Sequence, residues 1–143
     1  MEIGVINRLC NEGRCFDHVS QFGLHVCQLA SWDMSLARPD IADNARKAAA
    51  EAGVRICAIW GGVPGPAAWN FTEGPVTLGL VPEEYRRERV EALKKWADFA
   101  ERVGAPAVIT HCGFIPENIT DAAYSGVVDA IKDGGGLPRG AAY

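Results

Sequence analysis

Four short apolar runs recur along this chain of 143 residues, and each is followed by a segment with the periodicity of an amphipathic helix. The runs occupy residues 3–6, 24–30, 54–60 and 107–110. Runs so little interrupted by polar residues suit strands covered on both faces. Strands that alternate with helices pair in parallel through right-handed crossovers, so the expected fold class is α/β, four βα units written (βα)4, over residues 1–132. Two closures satisfy this pattern: an open doubly wound sheet, or an arc of an eight-stranded barrel.

The helical segments carry their own punctuation. Phe16, Val19 and Phe22 recur at helical spacing before Gly23. From Ile41 the small residues Ala45, Ala48, Ala49 and Ala52 form one stripe, with Pro39 near the first turn and Gly53 at the end. Pro82, Glu83 and Glu84 open a long helix whose stripe includes Val90, Leu93, Ala97 and Ala100, and Gly104 closes it. Asn118 or Thr120 can cap a last helix running from near Asp121 to Lys132. Between the third strand and the long helix, the glycines and prolines of residues 61–80 leave no regular structure, yet Trp69, Phe71 and Leu80 are costly to leave in water. Such a loop is expected to be functional or folded over something. Residues 133–143 are expected to be an irregular glycine-rich tail, a truncated or frameshifted end.

Composition excludes several functions. With 14 basic and 18 acidic residues the net charge is −4, which offers no footprint for nucleic acid or an anionic membrane surface. No apolar stretch approaches the ~20 residues of a membrane span, and Glu2 interrupts any secretory leader at once, so a soluble cytoplasmic protein is expected. The five cysteines then read as reduced thiols. Cys10 and Cys15 have a spacing found in some metal sites, but no second pair follows, and no structural zinc is expected. No P-loop, G-x-G-x-x-G turn, nucleophile elbow or H-E-x-x-H helix is present.

Ligands of parallel α/β sheets bind beyond the carboxyl ends of the strands. Here those ends are polar: Asn7 finishes the first, Gln28 lies just before the end of the second, Trp60 ends the third, and Thr110 with His111 the fourth. A polar group at an apolar strand end must meet a partner or a ligand. Either each caps a neighbouring loop through the backbone, or Asn7, Gln28, Trp60 and His111 line the rim of a polar-substrate site. His111 is the strongest single candidate, because imidazole donates, accepts or ligates near neutral pH. His18 and His25 fall away from that rim.

Gly79-Leu80-Val81-Pro82, the helix from Glu83 to Gly104 and the strand end Thr110-His111-Cys112-Gly113 resemble the sugar phosphate isomerase/epimerase family of xylose isomerase-like TIM barrels. The segments 23–29 and 53–60 agree with it, over residues 1–132. The resemblance implies the barrel closure, of which a chain this long supplies the N-terminal half, since a complete barrel needs about 250 residues. It implies aldose–ketose or epimer interconversion in carbohydrate metabolism by proton transfer next to a carbonyl, acting on a sugar or sugar phosphate and assisted by one divalent metal (Mn, Mg, Co or Zn). The family's carboxylate and histidine ligands come mainly from strands five to eight. His111 matches a strand-four histidine lining the family's active site. Hence no catalytic residue or metal ligand is assigned in this chain, no metal is expected to bind it well, and it is expected to be inactive alone. The alternative is a non-catalytic half barrel that self-associates or complements a separate second half.

Overall fold

The computed structural model describes residues 2–135, which divide into two compact units. The first runs to Gly62 and takes in Lys95–Ile109; the second is Val63–Lys94 together with the residues from Thr110 onward. The elements are β1 (Val5–Arg8), α1 (Asp17–Gln21), β2 (Val26–Ser31), α2 (Pro39–Glu51), β3 (Arg55–Gly61), α3 (Gly74–Thr77), α4 (Glu83–Val103), β4 (Val108–Ile109) and α5 (Ala122–Gly134), with a 3-10 turn at Met34–Leu36. Four strands alternate with helices, as expected. Among the described residues no helix is long and apolar enough to cross a membrane.

All four strands lie in the first unit as one parallel sheet of order β1-β2-β3-β4. A doubly wound sheet reverses its strand order at a switch point, whereas a barrel adds each strand beside the last. The unbroken order therefore has the barrel pattern. Between β2 and β3 the register slips: Cys27 opposes Ile56 and Gln28 opposes Ala58, so Cys57 is an extra residue. This bulge turns Ile56 and Ile59 to the same face although they are three residues apart.

That face is the core. Leu29, Ile56 and Ile59 pack with Val19 of α1, Ile41, Ala45 and Ala49 of α2, and Trp96, Phe99 and Val103 of α4. The alanine stripe of α2 lets the helix approach the sheet closely. Trp96 is fully buried, and its indole N–H donates to the Gly62 carbonyl at 2.8 Å, which satisfies the one polar atom that burial would otherwise strand. In the second unit, Val90 and Leu93 of α4 and Val127 and Ala130 of α5 are buried.

Several expectations need correction. β1 is not covered on both faces: Val5 and Ile6 are 39% and 57% exposed, because β1 is an edge strand and Ile6 points away from the helices. β4 pairs only through Val108 and Ile109, shorter than the 107–110 expected. The loop 61–80 contains a helical turn, α3, which Pro75 permits because proline is tolerated at a helix start. Asp121, not Asn118 or Thr120, caps α5, accepting from the Ala123 N–H at 2.8 Å, and α5 continues past Lys132 to Gly134. Of the glycine-rich tail, residues 136–143 lie outside the described residues.

A Cβ at Gly61 would collide with the buried indole of Trp96. Gly61→Ala is expected to destabilise the protein by about 1–3 kcal/mol through overpacking, read as a lower urea midpoint at unchanged slope. An unchanged midpoint would refute this packing.

Candidate functional site

The carboxyl ends of β1 and β2 open onto a cavity of about 1050 Å³ within the first unit, whose wall includes Asn7, Arg8, Cys10, Cys15, Trp32 and Asp33. Trp32 follows β2 directly and packs against Trp60 near the end of β3, ring centroids 5.2 Å apart at 58°. Gly62 makes this possible, since a Cβ there would meet the Trp32 backbone at 2.6 Å. Asp33 accepts from the Ser35 N–H at 2.9 Å, and Ser35, through its hydroxyl first and this backbone N–H second, holds the carboxyl below the usual carboxylate range. Asp33 is thus an anion at neutral pH, fixed by the 3-10 turn it caps.

The sheet does not present the first three rim residues alike. Register places Asn7 opposite Leu29, on the helix side, whereas Gln28 opposes Ala58, and Trp60 opposes Ala30, on the open side. Asn7 is buried and its side-chain amide donates to the Cys15 carbonyl at 2.6 Å. Of the two roles open to it, backbone capping is the one its side-chain bond serves, though the residue also lines the cavity. Gln28 and Trp60 are half-buried on the open face.

His111 belongs to the second unit. Its Nδ1 accepts from the Gly113 N–H at 2.9 Å, which leaves the proton of the neutral ring on Nε2 as an exposed donor. Trp69 meets the imidazole edge-on at 4.9 Å between centroids, and Phe71 meets Phe114 at 6.0 Å. These four rings, with Asn70 and Leu78, border a cavity of about 340 Å³. Trp69 and Phe71 are 60% and 90% exposed, so aromatic faces are held at its edge rather than folded away. Gly79, with φ 71°, lies against the Cys112–Gly113 backbone, where any side chain would clash, and Leu80 N–H donates to the Cys112 carbonyl at 2.7 Å.

The loop bearing these aromatics is held by one buried cation. Arg89 of α4 is fully buried and donates Nε to the Pro64 carbonyl at 3.0 Å, Nη1 to Gly79 at 2.6 Å and Nη2 to Pro66 at 2.6 Å. Its guanidinium also lies 4.8 Å from the Tyr85 ring centre. Burial lowers its pKa, and the Tyr85 contact opposes that shift. Arg86 extends the clamp to the Leu80 and Val81 carbonyls at 2.8 and 2.7 Å.

The sequence marks Trp69 and Phe71 as aromatics of a loop expected to be functional or folded over something, but gives no comparable mark to Arg89. The available signal was the Pro64-Gly65-Pro66 run, whose carbonyls have no strand or helix to bond and need a donor from elsewhere. Among the described residues no group of three or more His, Cys, Asp or Glu side chains could hold a metal ion. The described residues therefore do not supply a donor set for the divalent cation that the resemblance implies.

Neither a protein-family profile nor any curated protein sequence matches the chain. Solved structures do. A xylose isomerase domain protein from Planctomyces limnophilus matches with a TM-score of 0.82 and 29% identity over 92% of this chain and 48% of that one. The fold is also shared with a D-psicose 3-epimerase (TM-score 0.59, 11% identity, 94% of this chain and 50% of that one) and with a 3-keto-D-glucoside 4-epimerase from E. coli (TM-score 0.55, 12% identity, 93% and 49%). The chain has the fold of a xylose isomerase-like TIM barrel, built as four parallel βα units. It spans about half the length of the solved relatives it matches, and the family resemblance read from its residues is borne out.

One ammonium cannot reach three carbonyls from the position of a guanidinium. Arg89→Lys is expected to cost about 2–4 kcal/mol and to open residues 63–81 to limited proteolysis. Cleavage no faster than in the parent protein would remove Arg89 as the clamp.

Proposed function

We propose that this chain forms the sugar-binding half of an isomerase or epimerase of carbohydrate metabolism, acting on a sugar or sugar phosphate by proton transfer next to a carbonyl. The observation that carries this reading is the likeness to a xylose isomerase domain protein at a TM-score of 0.82 across nearly the whole chain. A divalent metal, as the family resemblance implies, would stabilise the enediolate charge in the whole enzyme. The residues of this chain bind and orient. Trp60, beside Trp32, offers a ring face to the C–H face of a sugar, Gln28 offers an amide to hydroxyls, and Asn7 fixes the loop that walls the cavity. In the second unit, considered by itself, His111 offers an exposed Nε2–H to a sugar oxygen, with the Trp69 ring edge-on beside it. The reading carries a soluble cytoplasmic protein without nucleic-acid partners, in keeping with a charge of −4 and free cysteines at 10, 15, 27, 57 and 112.

The second reading is a non-catalytic half barrel that pairs with itself or with a separate second half. Ile6 and Ile109, 57% and 39% exposed on the face the helices leave open, favour it. Sedimentation tests the self-pairing form: a discrete dimer supports the second reading, and a compact, well-behaved monomer counts against both.

Titration of the chain with a ketohexose is expected to change its tryptophan fluorescence saturably in the millimolar range, with the amplitude lost in Trp60→Ala. Turnover is expected only when the remaining strands of a barrel are supplied. A flat titration would overturn the sugar-binding reading, and isomerisation by the chain alone would overturn the division of labour.

A further inference from the structure

The aromatic cavity of the second unit has a lining that an unsubstituted sugar does not match. Among the described residues that line it there is no Lys, Arg, Asp or Glu. A phosphate would find no cation there, and an ammonium no carboxylate. The side-chain acceptors are already taken. Asn70 Oδ1 accepts from the N–H groups of Thr72 at 3.0 Å and Glu73 at 2.7 Å, which uses both lone pairs, and the Asn70 amide nitrogen donates to the Glu73 carboxylate. His111 Nδ1 accepts from Gly113. What the lining side chains can still offer are N–H donors, on His111 Nε2 and on the Trp69 indole. A group seated there therefore has to bring an acceptor oxygen, whereas a hydroxyl hydrogen would gain no side-chain partner.

The remainder of the lining is largely aromatic, and local backbone contacts set it in place. Phe114 lies over Gly74, the first residue of α3, where a Cβ would sit 2.6 Å from the ring. The Ala68 N–H, next to Trp69, donates to Thr77 Oγ1 at 3.1 Å, and that hydroxyl donates to the Glu73 carbonyl at 2.7 Å. Trp69 packs on His111 and Phe71 on Phe114, yet both keep most of their ring surface in water. The cavity volume of about 340 Å³ leaves room for another ring, since an apolar cavity of about 150 Å³ holds benzene.

We propose that this cavity is a subsite for an uncharged aryl group joined to the sugar through an ether or ester oxygen. His111 donates Nε2–H to the linking oxygen, and the rings of Trp69, Phe71 and Phe114 take the aryl group out of water. This subsite rests on the sugar-binding reading above and narrows its substrate class from sugars and sugar phosphates to neutral, aryl-substituted sugars. Its role is binding alone, with no bond made or broken.

The test follows the indole N–H resonances of the folded, nitrogen-labelled full chain by NMR during titration with anisole, phenyl glucoside and methyl glucoside. Trp69→Phe identifies the Trp69 resonance by its absence. Anisole and phenyl glucoside are expected to move that resonance, with phenyl glucoside binding at least about tenfold more tightly than methyl glucoside. In Phe71→Ala, a change at a side chain 90% exposed, the preference is expected to fall to about twofold or less. Equal affinity for the two glucosides, a Trp69 resonance that stays still, or an unchanged preference in Phe71→Ala would each overturn the aryl subsite. Because anisole carries no sugar, its failure to move the Trp69 resonance overturns the subsite whatever a ketohexose does. A flat ketohexose titration beside a clear anisole response fails the sugar reading instead and leaves the aryl cavity standing.

Discussion

Consecutive strands of this chain pair in parallel, so the chain must return from the end of each strand to the start of the next, and a covering segment must make that crossing. The helical residues that do so within the first unit bury one face of the sheet and leave the other open. From this constraint follow the two features that matter for function. All strand ends of one polarity gather at one edge, where Trp60 and the cavity wall lie. The opposite, uncovered face carries Gln28 and Ile109 beside apolar neighbours, an environment suited to side chains waiting for something to cover them.

Much of this was legible in the residues. Strands as apolar as residues 24–30 and 54–60 have no alternative to burial, and the alanine stripe of α2 and the stripe of α4 mark their buried faces. What escaped was set by tertiary contact. β1 carries the same apolar signal as the others, yet its place at the edge exposes Ile6, and no local pattern encodes edge position. α3 depends on Asn70 and Thr77 closing a turn within a loop rich in glycine and proline. The polar rim could be read only as a set. Whether Asn7 faces a ligand or a carbonyl depends on strand register, and register gives it Cys15.

The aromatic loop, outside the single turn of α3, satisfies its backbone without strand or helix. Its backbone carbonyls have no ladder to join, and the Arg86 and Arg89 guanidiniums supply the donors from α4 instead. Because Arg89 meets carbonyl dipoles, with no carboxylate partner among the described residues, the arrangement asks for planar, forked donors and tolerates no simple point charge. Trp69 and Phe71 keep exposed rings edge-on against His111 and Phe114.

The surplus residue at Cys57 has an effect beyond the strand it interrupts. Had β3 stayed in step with β2, every side chain after Ile56 would have swapped sides, since a slip of one position inverts the alternation. Ile59 would then face outward, and Trp60 would be driven into the layer already filled by Trp96. One unpaired amino acid thus works as a half-turn in the ribbon, and the outward orientation of the most prominent aromatic on the open side is inherited from it.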